Sequence, residues 1–401
     1  MVQRRIALTV YQPAKPGVQS FAILAAFEAA SRAVVISVYP VLMYRSLGDA
    51  KTVSEFYFLI GLGSLVIALF TPWLNRLVPR RWLFTAGSTV MVSGGLVGLL
   101  GGLHLVPLAV FLNAAALVVL TICFNAYVMD YIDRHSMGRN ETMRLLYSGA
   151  AWSIGPWLGV WLMDHEPSLP FMASIFFSLC QLAFFWFLRM GNGKAITRAK
   201  RPAANPLAYL ARFFRQPSLV SGWTFAVIRS VGWAIYIIYV PIFAVEAGLG
   251  DQLGGMTLSI SNAFLFLSPF MLRFLHKTSV RTTITLAFLA SAALFLLAYA
   301  LSSFPMLAIG SMLAGTMFLV MLDVSGGLPF LMTVKPSERT EMAAVYSTFR
   351  DVSAVISPAI ARTVLVFAPV AGVFAAGGAA LLACAFVARR IHPRLGKKRL
   401  S

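Results

Sequence analysis

The sequence predicts an all-α membrane protein, with twelve transmembrane helices in two pseudo-symmetric six-helix bundles, and three observations carry that expectation. The 401 residues are 59% hydrophobic and only 12% charged, with a mean hydropathy of +0.79, whereas soluble domains carry about 25% charged residues. Apolar runs such as 56–72, 105–129 and 282–301 reach or approach the roughly 20 residues needed to cross a bilayer. They lack strict two-residue alternation, so helices rather than barrel strands satisfy their backbone. The third observation is an internal repeat. Arg139-Asn-Glu141 returns as Arg339-Thr-Glu341, Tyr147-Ser148 as Tyr346-Ser347, Tyr39-Pro40 as Tyr239-Val240-Pro241, and the stretch 71–77 as 268–274, each about half the chain later. Parallel halves of this kind build a site between two bundles.

Taken in order, the spans fall near 18–43, 53–74, 82–103, 106–130, 145–164 and 169–189 in the first half. In the second half they fall near 219–245, 254–275, 282–301, 305–333, 346–367 and 370–388. The domain division is 1–190, a linker over 191–218, and 219–401 with a basic tail. The loops between spans 2 and 3 (Arg76, Arg80, Arg81), 4 and 5 (Arg134, Arg139, Arg144), 8 and 9 (Arg273, Lys277, Arg281) and 10 and 11 (Lys335, Arg339, Arg350) collect arginine and lysine, as do both ends and the linker. The opposite loops hold only Arg45 and Lys51. Cytoplasmic loops gather positive charge, so both termini are expected in the cytoplasm, in a bacterial cytoplasmic (inner) membrane. The net charge of +19 then reflects topology and attraction to anionic lipid, not nucleic-acid binding. The linker carries an amphipathic stretch at 207–214 expected on the membrane surface. The first span is too long for a cleavable signal peptide. Cys123, Cys180 and Cys384 all lie inside spans and read as small apolar residues.

Twelve spans in two parallel halves, with a basic middle loop, resemble the major facilitator superfamily over essentially the whole chain. Leu74-Asn75-Arg76-Leu77-Val78-Pro79-Arg80-Arg81 is similar to that family's Asp-Arg-x-Gly-Arg-Arg signature, with Asn75 replacing the acid and Val78 the glycine. Gly155-Pro156-Trp157-Leu158-Gly159 resembles the Gly-Pro-x-x-Gly antiporter motif; its alternative reading is a small-residue packing face with a proline bend. The fourth span lacks the arginine of drug–proton antiporters, and the sugar-porter signature is missing after the sixth.

Five charges fall within spans: Glu28, Arg32, Arg229, Asp323 and Arg362. Each costs roughly 2.5–3.5 kcal/mol at the bilayer centre unless paired or wet. Glu28 and Arg32 share a helix face and pair as i, i+4 neighbours; the pair is either a structural lock or a protonation site. Arg229, Trp233 and Tyr236 share a face that suits an anionic or planar ligand. Asp323, in a span made breakable by Gly326, Gly327 and Pro329, binds a cation or proton or neutralises an arginine. Arg362 is expected to snorkel. Asn113, Asn125 and Asn262 serve interhelical hydrogen bonding.

Asp130, Arg139, Glu141, Arg339, Glu341, Arg350 and Asp351, with Asn75, Arg76 and Arg80, form the expected cytoplasmic gate. The expected function is secondary transport of a small organic solute by alternating access, as proton-coupled export. The alternative is proton-coupled import of an anionic nutrient or metal chelate, and a membrane scaffold or enzyme is a weaker third. No cofactor, metal or catalytic set is expected. The partners are the solute, with an anionic one favoured, protons and lipid, and the chain is expected to act as a monomer.

Overall fold

The computed structural model describes residues 16–132, 137–190, 206–334 and 338–392, and every regular element among them is helical. The first span is two helices, α1 (Val18–Ile36) and α2 (Val38–Leu47), interrupted at Ser37. Pro40 has no N–H to offer the Ile36 carbonyl, which loosens the helix there. A turn with Gly48 at φ 82° leads into α3 (Ala50–Leu77), where the Asp49 carboxylate caps the Thr52 amide at 2.9 Å. The first half continues through α4 (Arg80–Leu100), α5 (Val106–Tyr131), α6 (Met137–His165) and α7 (Leu169–Met190).

In the linker, α8 (Pro206–Phe214) forms where the amphipathic stretch was expected. It does not simply lie on a membrane surface. Phe213 is fully buried with Leu219, Phe330, Val334, Met342 and Val345, and Arg212 pairs with Glu338.

The second half opens with α9 (Pro217–Glu246) and α10 (Gln252–Ala263), the latter preceded by Gly250 at φ 83°. A 3₁₀ turn over Phe264–Leu267 leads to α11 (Ser268–Lys277), and Pro269 removes the donor that would continue α10 through it. Then follow α12 (Val280–Ala300) and α13 (Pro305–Ser325), which breaks at Gly326-Gly327 before α14 (Leu328–Thr333). The predicted span 346–367 is instead α15 (Arg339–Tyr346), a turn at Ser347-Thr348, and α16 (Phe349–Val364); α17 (Val370–Ala388) closes the chain.

Ten of these helical rods are long and apolar enough to cross a membrane. The two remaining predicted spans, α6 and α15–α16, begin in charged sequence and pack inside the assembly, α6 against α1 and α10, α16 against α3 and α9. In the first half α1 packs on α6 and α7, and α4 on α5 and α7; in the second α12 packs on α13 and α17. The halves meet along α3–α16, α6–α10 and α2–α9.

Gly155 and Gly159 lie directly on Ala33 and Val34 of α1, where a β-carbon would collide with main chain. This contact brings α1 and α6 to backbone distance, the gain that small residues give membrane helices. One face of the assembly carries the basic turns α3–α4 and α11–α12, and is called the basic face; the opposite one is the far face.

Candidate functional site

Helix direction sets the layers of the interface between the halves. Residues climb from the basic to the far face along α1, α9 and α16, and descend along α3 and α5. A cavity of about 440 Å³ lies at mid-height between the halves. Its basic-face layer holds Arg32, Ser64, Asn113, Ser230, Trp233, Arg350 and Ser353. Its far-face layer is apolar and aromatic, with Tyr39, Pro40, Tyr57, Val110, Ile237 and Ile238.

Above that layer the interface is closed. Arg45 meets Asp251 at 2.5 Å, Arg362 meets Glu55 at 2.8 Å, and Gln252 donates to Asp164 at 2.7 Å. The Ser54 and Tyr239 hydroxyls bond at 2.7 Å. Pro156 disturbs the α6 backbone ladder, and the next amide, Trp157 N–H, donates across the halves to Ser259 at 2.9 Å. Gly61 brings α3 onto the main chain of α16 at Ala354.

Arg362 therefore does not snorkel into solvent alone; it holds an acid of the other half. Burial pushes the Asp251 carboxyl above the ordinary carboxylate range; Arg45 opposes that push, and Asp164 adds to it. On the basic-face side of the cavity, Glu28 and Arg32 keep about a fifth of their side-chain surface accessible, at 22% and 23%.

The intramembrane charges form two pairs. Arg32 donates to Glu28 at 3.0 Å, and its guanidinium lies 5.1 Å from the Trp152 ring. Arg229 meets Asp323 at 3.0 Å, and the Trp233 indole donates to the other carboxylate oxygen at 2.9 Å. Arg229 also faces the Leu322 carbonyl at 3.4 Å and the Phe349 ring at 5.4 Å. The face of Arg229, Trp233 and Tyr236 is thus turned mainly into helix packing. Only Trp233 reaches the cavity; Tyr236 is 1% exposed and packed against α10 near Thr257 and Ser261. Arg350 lines the cavity, is exposed to it, and has no ion-pair partner among the described residues. It stands in the field of Arg144, Arg229 and Arg32, with the neighbouring Asp351 acting in the opposite sense. Of the asparagines, Asn113 lines the cavity and donates to Met91 Sδ at 3.1 Å, while Asn262 bonds its own helix at Leu258.

The expected gate at the basic face divides. Arg80 binds Asp130 at 2.6 Å and sits over Tyr127, a pair within the first half that ties α4 to α5. Asn75 lies in the last turn of α3, and Asp351 in the first turn of α16, where a carboxylate suits the helix dipole. The side chains of Arg76, Arg139, Glu141, Arg339 and Glu341 lie outside the described residues. Sequence reasoning missed the far-face set of Glu55, Asp164 and Asp251; a scarcity of charge on that side was the available signal, because few charges on a face invite pairing among themselves.

The family model for the Major Facilitator Superfamily matches residues 21–358. No curated protein matches the chain at a significant level. Among solved structures, a transporter of the POT family in complex with 5-aminolevulinic acid is similar at TM-score 0.77 and 11% identity, covering 95% of this chain and 96% of that one. The nucleoside transporter NupG is similar at TM-score 0.68 and 13% identity, covering 92% and 98%. At these identities the likeness is one of fold.

Proposed function

From the premise that the chain belongs to the Major Facilitator Superfamily, and so is a multi-pass secondary transporter rather than an enzyme, we propose that it imports a small organic anion together with protons by alternating access. One observation carries the reading. Arg350 and Arg32 line the cavity between the halves, and Arg350 has no carboxylate partner among the described residues. A cation at membrane depth costs free energy unless an anion or water meets it, and a cavity with one cation in excess is set to receive that anion from solution.

The cargo's charge bears on direction. Moving one charge through the membrane potential is worth about 2.3 kcal/mol per 100 mV. An anion leaving a negative-inside cell runs downhill and needs no proton, whereas an entering anion runs uphill until protons accompany it. This favours import over the export read from Gly155-Pro156-x-x-Gly159, whose glycines are accounted for by the α1 contact. Glu28 is the proposed protonation site: protonation frees Arg32, on the same helix face, for the cargo. The basic face is proposed as cytoplasmic, with both termini there, the domains divided at 1–190 and 219–401, and a monomer as the working unit.

The test uses proteoliposomes containing a pH-sensitive dye, to which mixed organic acids are added. Proton entry in wild type, absent in Arg350→Gln, is the expected result. Equal proton entry driven by neutral solutes would remove the anion from the mechanism.

A further inference from the structure

Resting on the anion-carrier reading, we propose that the cargo is an amphipathic organic monoanion, with a single acidic head and a flat apolar body ending in one hydrogen-bonding group. Charge balance on the cavity wall points to one acidic head. Glu28 pairs with Arg32 and Asp323 with Arg229, which leaves Arg350 as the one cation on the cavity wall without an ion-pair partner among the described residues. Asp351 follows it in the chain but is not among the lining residues. A site with one cation in excess matches one carboxylate; a second carboxylate would enter the cavity with nothing opposite it.

The cavity wall is layered. Arg32, Arg350, Ser353, Ser64 and Asn113 lie toward the basic face, and Val110, Pro40, Ile237 and Ile238 toward the far face. A solute filling about 440 Å³ with its head at the arginines extends its other end into the apolar layer. A second charged or strongly hydrated group there would lose its water without compensation. Trp233, Tyr39 and Tyr57 wall this space with rings, which favours a flat body over a branched one.

Tyr39 is nine-tenths buried and its hydroxyl has no hydrogen-bond partner. The hydroxyl of Tyr57, on the facing helix α3, also takes part in no hydrogen bond among the described residues, and the two phenols are close enough to interact. A buried unpaired hydroxyl is unfavourable, and a hydroxyl or carbonyl at the far end of the cargo would complete the pair. An aryl acid with a para-hydroxyl has this form.

Binding to the purified full chain is measured by isothermal calorimetry with four probes: 3-phenylpropionate, its amide, 3-(4-hydroxyphenyl)propionate and glutarate. Wild type is expected to prefer phenylpropionate over the amide by at least about tenfold in Kd, a difference of about 1.4 kcal/mol. The 4-hydroxy acid should bind several-fold tighter still, and glutarate should be weaker than phenylpropionate. Arg350→Gln should abolish the acid–amide difference, and Tyr57→Phe should abolish only the gain from the 4-hydroxyl; the second variant serves as a folded control for the first. Glutarate binding as tightly as the aryl acids would overturn the amphipathic class and leave the anion-carrier reading standing. Equal binding of acid and amide would overturn both, and so would an absence of binding by every probe.

Discussion

Both halves bury an ion pair at membrane depth, yet the two are built differently. Glu28–Arg32 is local: one turn of one helix, each partner about a fifth wet, with the Trp152 ring of α6 against the guanidinium. Arg229–Asp323 joins two helices, α9 and α13. It is fixed by the Trp233 indole and the Leu322 carbonyl, with 11% of the Arg229 side chain and 34% of the Asp323 side chain accessible. A local wet pair exchanges partners without moving a helix. A pair that joins two helices does not separate without moving one of them or leaving Arg229, its drier member, without its partner. The first has the properties of a switch and the second those of a brace.

The sharpest way to break this comparison is to remove one acid at a time. Asp323→Ala leaves Arg229 unpaired and buried, and is expected to cost about 3 kcal/mol of stability, seen as a clear fall in melting temperature in detergent. Combining it with Arg229→Leu should restore most of that loss, because a well-packed apolar pair replaces a buried ionic one at little cost. If both single variants melt like wild type, Arg229–Asp323 is not a brace. Glu28→Gln, by contrast, should lower stability by less than about 1 kcal/mol, as partly exposed pairs do.

The packing of α1 on α6 gives a middle-sized effect. Gly159→Ala puts a methyl against the Val34 main chain, and overpacking of this kind costs about 1–3 kcal/mol. Gly149, with open space around it, should accept alanine with no measurable loss. Equal tolerance at both positions would show that the α1–α6 contact is looser than described.

The architecture was legible because bilayer thickness and loop charge are written in composition, and because the repeat marked corresponding elements. The Arg139 and Arg339 motifs fall at the starts of α6 and α15. The Glu28–Arg32 pair was legible too, since i, i+4 spacing is a property of one helix. Arg229–Asp323 appeared only as two separate charges, because their meeting depends on how α9 and α13 pack.

The far-face closure was hidden for a subtler reason. Gly48-Asp49 and Gly250-Asp251 occupy equivalent turns at φ 82° and 83°. Asp49 caps its own helix, while Asp251 gives up that role to reach Arg45. The repeat supplies the turn, and the neighbour across the interface decides what its acid does.

Smaller effects belong to that closure. Each exposed pair contributes about 0.2–1 kcal/mol, so Arg45→Ala with Arg362→Ala should raise far-side labelling of a Ser64→Cys reporter several-fold without unfolding the protein. Unchanged labelling would show that the ion pairs do not hold the face shut. The smallest expected effect is from pH. The closed face holds Asp251 with a raised proton affinity, and the state that binds protons more tightly gains as pH falls. Acidification through the range just above ordinary carboxylate values should therefore reduce far-side labelling slightly, and Asp251→Asn should remove that dependence.

The central claim, that Glu28–Arg32 is the switch linking protons to cargo, is tested most directly in proteoliposomes under an imposed pH gradient, acid outside. Accumulation of a labelled cargo acid and its exchange across a symmetric pH are measured for wild type and Glu28→Gln. The variant should lose gradient-driven accumulation while retaining exchange. Driven accumulation equal to wild type would contradict it.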